Sequence, residues 1–227
     1  PPRSTLFPYT TLFRSTLFHE FGHALHSLFT EGKYARTAGV VPMDYVELPS
    51  QIMENWASDP EVLKIYAAHY QTNEVIPEHL LKKIENSARF NQGFSTVEYL
   101  AASFLDMDYH MLTSTGNMDI VNFETSQMTK IGLIPEIVPR YRSTYFGHVF
   151  NSSYAAGYYV YIWAAVLDAD AFQAFKESGD IYNKTLAASF RKYCLAGCGD
   201  DEGMVQYRKF RGKDPNPDAL LIRRGLK

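Results

Sequence analysis

The chain is expected to be mostly α-helical, with one small β element near residues 34–46, and three observations carry that expectation. Apolar residues recur at three- and four-residue spacing through most of its 227 residues, the period of a helix buried along one side. Helix-opening signals recur as well: Pro60 and Pro77 stand where a first helical residue would, while Ser95 and Asp119 stand as caps. Strands and helices do not alternate in the βαβ manner, and neither a G-x-G-x-x-G nor a phosphate-loop pattern occurs. Dinucleotide and nucleoside-triphosphate chemistry therefore lack support.

The beginning of the chain is unlike the rest. Ser4-Thr5-Leu6-Phe7, Thr10-Thr11-Leu12-Phe13 and Ser15-Thr16-Leu17-Phe18 repeat one short phrase, with Pro8 and Arg14 between the copies. So short a repeat has no helical period and no small-residue cleavage site after an apolar core, so residues 1 to about 15 are expected to be foreign or misread sequence.

A helix is expected from about Thr16 to Thr30, ending at Glu31-Gly32-Lys33. Phe21, Ala24, Leu25 and Leu28 would form its buried side, and Gly22 would let another segment approach closely. Tyr34–Val41, interrupted by Gly39 and followed by Pro42, reads as a hairpin or irregular strand. From Pro49 the spacing of Ile52, Met53, Trp56 and Ala57 is helical again.

Further helices are expected from Pro60 to Tyr70 and from Pro77 to about Phe90. Ser95-Thr96-Val97-Glu98 forms a capping box that would start a helix running through Leu112. Asp119 would cap one more, ending near Gly132, and Pro135 and Pro139 would open the chain into a loop. A Tyr-rich segment from Tyr141 to Trp163 leads into a long helix to about Lys176. Helices from Asp180 to about Ala196 and from Asp200 to Phe210 follow, with an irregular tail after Arg211.

With 46% apolar and 15% aromatic residues there is ample material for a core, and a net charge of −3 gives no basic field for nucleic acid or an anionic membrane. The longest uncharged run, Ser152 to Leu167, is shorter than the ~20 apolar residues of a membrane span. Cys194 and Cys198, four apart on an expected helix, are poorly placed to bridge and read as free buried thiols of a reducing compartment.

The stretch His19-Glu20-Phe21-Gly22-His23-Ala24-Leu25-His26 carries the chemistry. Residues four apart share a helix face, so His19 and His23 can aim ring nitrogens at one cation with Glu20 beside them. This is the HExxH arrangement of two zinc ligands and a general base. A catalytic zinc wants a third protein ligand. The metzincin solution is excluded, because it needs Gly at position 26 and His at position 29, where this chain has His26 and Phe29.

A Glu on a following helix is the other solution, and Glu47 and Glu54 both qualify. They are seven residues apart, so one helix would point both the same way. One would bind metal and the other would hydrogen-bond a ligand imidazole. Both sit among apolar or aromatic neighbours, where an unpaired carboxylate is costly.

Tyr154, Tyr158 and Tyr161 recur at helical spacing after Tyr141 to His148, so three phenols and an imidazole can line a cleft wall. Beside a zinc site such donors suit the oxyanion of peptide hydrolysis. Arg140 and Arg142 could bind a substrate carboxylate.

Together, His19–His26, Tyr45–Trp56, Phe90–Asp106 and Tyr141–Trp163 resemble the thimet oligopeptidase and neurolysin family of zinc peptidases, above all its bacterial dipeptidyl carboxypeptidase (peptidyl-dipeptidase) branch. The resemblance covers about Thr16 to Lys227. It implies a zincin-type helical catalytic domain, the C-terminal half of a neurolysin-like fold, occupying residues 16–227. It also selects Glu47 as third ligand, which leaves Glu54 to support a ligand histidine. His148, Tyr154, Tyr158 and Tyr161 then become substrate-site residues, with Tyr158 or Tyr161 as oxyanion donor.

One departure is Asn151-Ser152-Ser153, where many relatives have a glycine run. The implied activity is hydrolysis of short peptides with release of C-terminal dipeptides, using one Zn2+ ion. The expected setting is a monomer in the bacterial cytoplasm, with export of the full-length parent left open, and without nucleic-acid or membrane partners. Endo-acting cleavage stays open. So does an inactive zinc-binding fragment, because family members are much longer and their N-terminal portion forms the opposite wall of a channel.

Overall fold

The computed structural model describes residues 6–32, 34–197 and 199–227. Residues 1–5 of the segment expected to be foreign, Lys33 of the expected helix stop and Cys198 lie outside the described residues. Among the described residues helices dominate and no strand forms. Extended backbone pairs only at an isolated antiparallel bridge between Ala68 and Val75. The chain divides into two compact units, one made of Pro1–Ala88 with Trp163–Lys227 and the other of Arg89–Ile162.

In the first unit, α1 (Leu6–Phe29) lies against α2 (Leu48–Ser58). The approach depends on Gly22: a Cβ there would stand 2.3 Å from the Pro49 carbonyl oxygen and 2.6 Å from Ser50 Cα. This bears out the expected close approach and also corrects the expected face. Gly22, His26 and Phe29 turn inward, whereas Phe21 is 58% and Leu28 75% exposed. Backbone proximity at Gly22 sets the rotation of the helix, and the apolar stripe follows it outward.

The expected β element near residues 34–46 is a correction as well. Residues 35–39 are turns, and Met43–Tyr45 is a short 3₁₀ helix that brings Tyr45 into the core. Gly39 has a positive φ of 77° and Pro42 cannot donate to a ladder, so the stretch suits turns better than a strand. Pro49 lies at the start of α2, as a proline without a donor should. Asp59 caps α3 (Pro60–Tyr66), accepting from the Glu61 amide, and α4 runs Glu78–Arg89.

The same unit receives most of α8 (Val160–Glu177), α9 (Lys184–Phe190), a π turn at Arg191–Ala196, α10 (Gly203–Arg211) and α11 (Asp218–Arg223). Its core joins Tyr45, Leu48 and Ile52 to Phe172, Phe175, Phe190, Cys194 and Tyr207. Trp56 meets Phe172 and Phe175 edge-on at 4.7 and 5.1 Å. Burial pushes the Cys194 thiol up to about 12, consistent with an inert core thiol.

Asn183 caps α9 through the amides of Thr185 and Leu186, three residues later than the expected start at Asp180. The tail expected to be irregular carries α11, because Arg223 has a partner. Its guanidinium pairs with Asp168, which also accepts from Asn55 Nδ2 at 2.9 Å. A buried carboxylate so served ties the C-terminal helix to α2 and α8.

In the second unit, α5 (Gln92–His110) starts earlier than the capping box suggests. Asn91 takes the left-handed conformation, φ 56°, and its carbonyl accepts from the Ser95 amide. Ser95 therefore lies inside the helix instead of capping it. Asp119 caps α6 (Ile120–Lys130) as expected, accepting from the Val121 and Asn122 amides. The short α7 (Gly147–Phe150) precedes a run of turns over residues 153–159. Tyr154 and Tyr158 are therefore not helical, contrary to the spacing argument.

Candidate metal centre

α1 sets His19 and His23 one turn apart, and Glu47 stands at the N-cap of α2, the helix packed against them. The Glu47 side chain does not cap α2; the Ser50 hydroxyl donates to its Oε2 at 2.9 Å. His19 Nε2 lies 3.3 Å and His23 Nε2 3.4 Å from that same Oε2. One ligand atom from each of His19, His23 and Glu47 falls within 4.8 Å of the other two. The Glu47 residue is 2% exposed.

These distances fit a zinc ion. Four donors about 2.0–2.2 Å from a tetrahedral centre stand about 3.3–3.6 Å from each other, a range that includes the separations found between Glu47 and each imidazole. Two neutral imidazoles and one carboxylate are also the donor set of a known class of catalytic zinc sites.

Glu54, two turns along α2 from Glu47, supports the pair from behind. Its Oε1 lies 2.8 Å from His19 Nδ1, and the Ser15 hydroxyl donates to its Oε2. A ligand imidazole needs its second nitrogen protonated and held, and this contact supplies both conditions. The electrostatics agree. Burial alone would push the His19 imidazole down, but hydrogen bonds to Glu47 and Glu54 and their charges raise it to about 10. The two acids thus create a place where positive charge is favoured. Glu20, next to His19, is exposed.

The remaining predicted residues lie in the second unit, where they form a ring cluster. Tyr154 and Tyr161 stack at 5.3 Å, and His148 stands 5.6 Å from Tyr158 and 6.2 Å from both Tyr154 and Tyr161. Tyr158 is 2% exposed, packed edge-on to Phe146 and stacked on Tyr99, and burial pushes its phenol upward. His148, Tyr154 and Tyr161 keep partial exposure.

Arg142 donates from Nε to the buried Glu124, which also accepts from the Ser143 amide and hydroxyl at 2.8 and 2.7 Å. Burial opposes ionisation of Glu124, but these donors outweigh it and hold its carboxyl below the usual range. Any role of Arg142 toward a substrate carboxylate falls to its terminal nitrogens.

Two supporting residues escaped the sequence reading. Ser50 holds Glu47, and its place in Pro49-Ser50-Gln51 gave no chemical signal of its own. Asp106 is wholly buried in the second unit and accepts from the amides of Ala156 and Tyr158. Its signal was present: Ala102, Leu105 and Asp106 fall on one helix face, so an acid occupies a core register.

Residues 4–226 match Peptidase family M3. The chain is 42% identical over 214 residues to dipeptidyl carboxypeptidase of Escherichia coli (strain K12), covering 93% of this chain and 31% of that protein. It is 37% identical over 215 residues to oligopeptidase A of the same strain, covering 93% of this chain and 32% of the relative. To saccharolysin of Saccharomyces cerevisiae it is 33% identical over 216 residues, covering 93% and 30%. The chain thus spans about a third of the length of the curated relatives it matches. On the match across nearly its whole length, the chain belongs to peptidase family M3.

Proposed function

We propose that this chain is the catalytic part of a zinc-dependent peptidase that hydrolyses short oligopeptides and releases dipeptides from their C-termini. The observation that carries the reading is the convergence of His19 Nε2 and His23 Nε2 on Glu47 Oε2 at 3.3 and 3.4 Å, in a member of a peptidase family. His19, His23 and Glu47 would hold the ion, and Glu54 would keep His19 oriented. When bound, zinc supplies a Lewis acid that polarises the scissile carbonyl and acidifies water. Glu20 accepts the proton of the attacking water and passes it to the departing amine nitrogen.

Tyr161 donates to the oxyanion in preference to Tyr158, whose burial suits a packing role. His148 and Tyr154 hold the peptide backbone, and Arg142 assists with a terminal carboxylate. The parent protein works as a monomer in the bacterial cytoplasm on short peptides, without nucleic-acid or membrane partners. No helix among the described residues is long and apolar enough to cross a membrane.

Endo-acting cleavage is a second reading, favoured by the 37% identity to a protein named oligopeptidase A. The test is zinc content together with hydrolysis of a blocked peptide ladder, followed by mass spectrometry, for this chain and Glu20→Gln. Zinc in both proteins, hydrolysis only in the first and successive losses of two C-terminal residues support the proposal. Internal products favour the endo mode. Zinc binding without hydrolysis in either protein means that the activity needs the rest of the parent chain.

A further inference from the structure

The run of turns carrying Tyr154 and Tyr158 has no helix or strand to fix it, yet one residue in it takes a demanding conformation. Ala156 has a φ of 53°, in the left-handed region that residues with a Cβ rarely adopt. Its own amide and that of Tyr158, two residues on, both point at one carboxylate. Asp106 Oδ1 accepts from Ala156 N and Oδ2 from Tyr158 N, each at 2.9 Å. Backbone amides converging through a left-handed residue make a small anion-binding concavity, and here the anion is the protein's own.

Asp106 is itself anchored. It is wholly buried in α5, and His110 Nδ1, one turn further on, lies 2.8 Å from both its carbonyl oxygen and Oδ1. Both of those atoms are acceptors, so Nδ1 carries the proton and donates to them. From the other side, the Tyr99 hydroxyl donates to the Tyr158 carbonyl while its ring stacks on Tyr158 at 5.0 Å. The Tyr158 backbone is therefore held at its amide by Asp106 and at its carbonyl by Tyr99.

We propose that Asp106 is a positioning residue. By gripping the amides of Ala156 and Tyr158 it fixes the run of turns and sets where the phenols of Tyr154, Tyr158 and Tyr161 stand. A rigid support behind a donor keeps it aimed at developing charge without reorganisation. The Asn151-Ser152-Ser153 stretch leads into this clamp from one side and α8 leaves it on the other. The effect on catalysis rests on the peptidase reading above, whereas the effect on the backbone does not.

The test compares the chain with Asp106→Asn, which keeps the size of the side chain but presents an NH2 to one of the two amides. Amide exchange at Ala156 and Tyr158, read by NMR, is expected to speed up at least tenfold with zinc content unchanged. Where the chain hydrolyses a blocked peptide, kcat should fall at least tenfold and KM less than threefold. Leu105→Ala, one residue away in the core, should lower the melting temperature and leave kcat per folded molecule alone.

Should Asp106→Asn fold poorly, adding Ala156→Gly removes the left-handed penalty and should restore folding and part of kcat. Unchanged exchange at the two amides overturns the proposal, as does no rescue by Ala156→Gly. If the chain binds no zinc and shows no hydrolysis but the two amides still depend on Asp106, positioning stands and the peptidase reading falls. If Tyr161→Phe slows hydrolysis and Asp106→Asn does not, positioning falls and the peptidase reading stands.

Discussion

His19 Nδ1 lies 2.8 Å from Glu54 Oε1, while the other nitrogen of the same ring lies 3.3 Å from Glu47 Oε2. One imidazole is thus held between two acids, one in the position of a co-ligand and the other of an orienting partner. Removing the orienting partner should weaken metal binding without abolishing it. Glu54→Ala is expected to lower zinc affinity by about 10- to 100-fold, measured by competition with a chromogenic chelator. Affinity equal to that of the unaltered chain would mean that the contact has no bearing on the metal.

Gly22 is where α1 and α2 come closest, and the atoms that a methyl group would meet are backbone. Since neither Pro49 nor Ser50 can move aside as a flexible side chain would, Gly22→Ala should force the helices apart. A cost of about 2–3 kcal/mol is expected, with loss of zinc because Glu47 moves with α2. Thermal melting and metal content together check this, and a fully stable, zinc-replete variant would contradict it.

His26 is almost fully buried, and its Nε2 finds no hydrogen-bond partner among the described residues. Burial, with a smaller contribution from the charge of His23, pushes the imidazole down from 6.5 to about 4. A depressed folded-state value means that the stabilising contribution is complete above 6.5 and is lost as pH falls toward 4. In metal-free protein the loss amounts to about 3 kcal/mol at most. Urea titrations at pH 7 and pH 4.5 should show His26→Leu losing less stability than the unaltered chain. Parallel losses in the two proteins would be evidence against the account.

Tyr158 and Tyr161 differ in exposure although the sequence treats them alike. Tyr161→Phe should therefore reduce kcat by about 100-fold, the scale of losing one oxyanion donor, with the melting temperature unchanged. Tyr158→Phe should chiefly lower the melting temperature. The opposite pattern would reverse the two roles.

Much of this was legible in the residues. The four-residue spacing of His19 and His23 and the seven-residue spacing of Glu47 and Glu54 survive folding because a helix has a fixed period, so spacing translates directly into direction. The Pro60 and Asp119 helix starts were readable for a similar reason, being set by local geometry. What was not legible depends on contacts between distant residues. Nothing in α1 announces that Gly22 will turn Phe21 and Leu28 outward, and nothing in the tail foretells that Arg223 will find Asp168. Tyr154 and Tyr158 carry a helical spacing yet sit in turns, in a stretch where the Ala156 and Tyr158 amides donate to the distant Asp106 carboxylate.

Anomalous diffraction at the zinc edge, on crystals of this chain grown with zinc, tests the central claim most directly. The account predicts one strong peak about 2.0–2.2 Å from His19 Nε2, His23 Nε2 and a Glu47 carboxylate oxygen, with Glu54 still hydrogen-bonded to His19. A peak elsewhere, or Glu47 turned away from the two imidazoles, would contradict it.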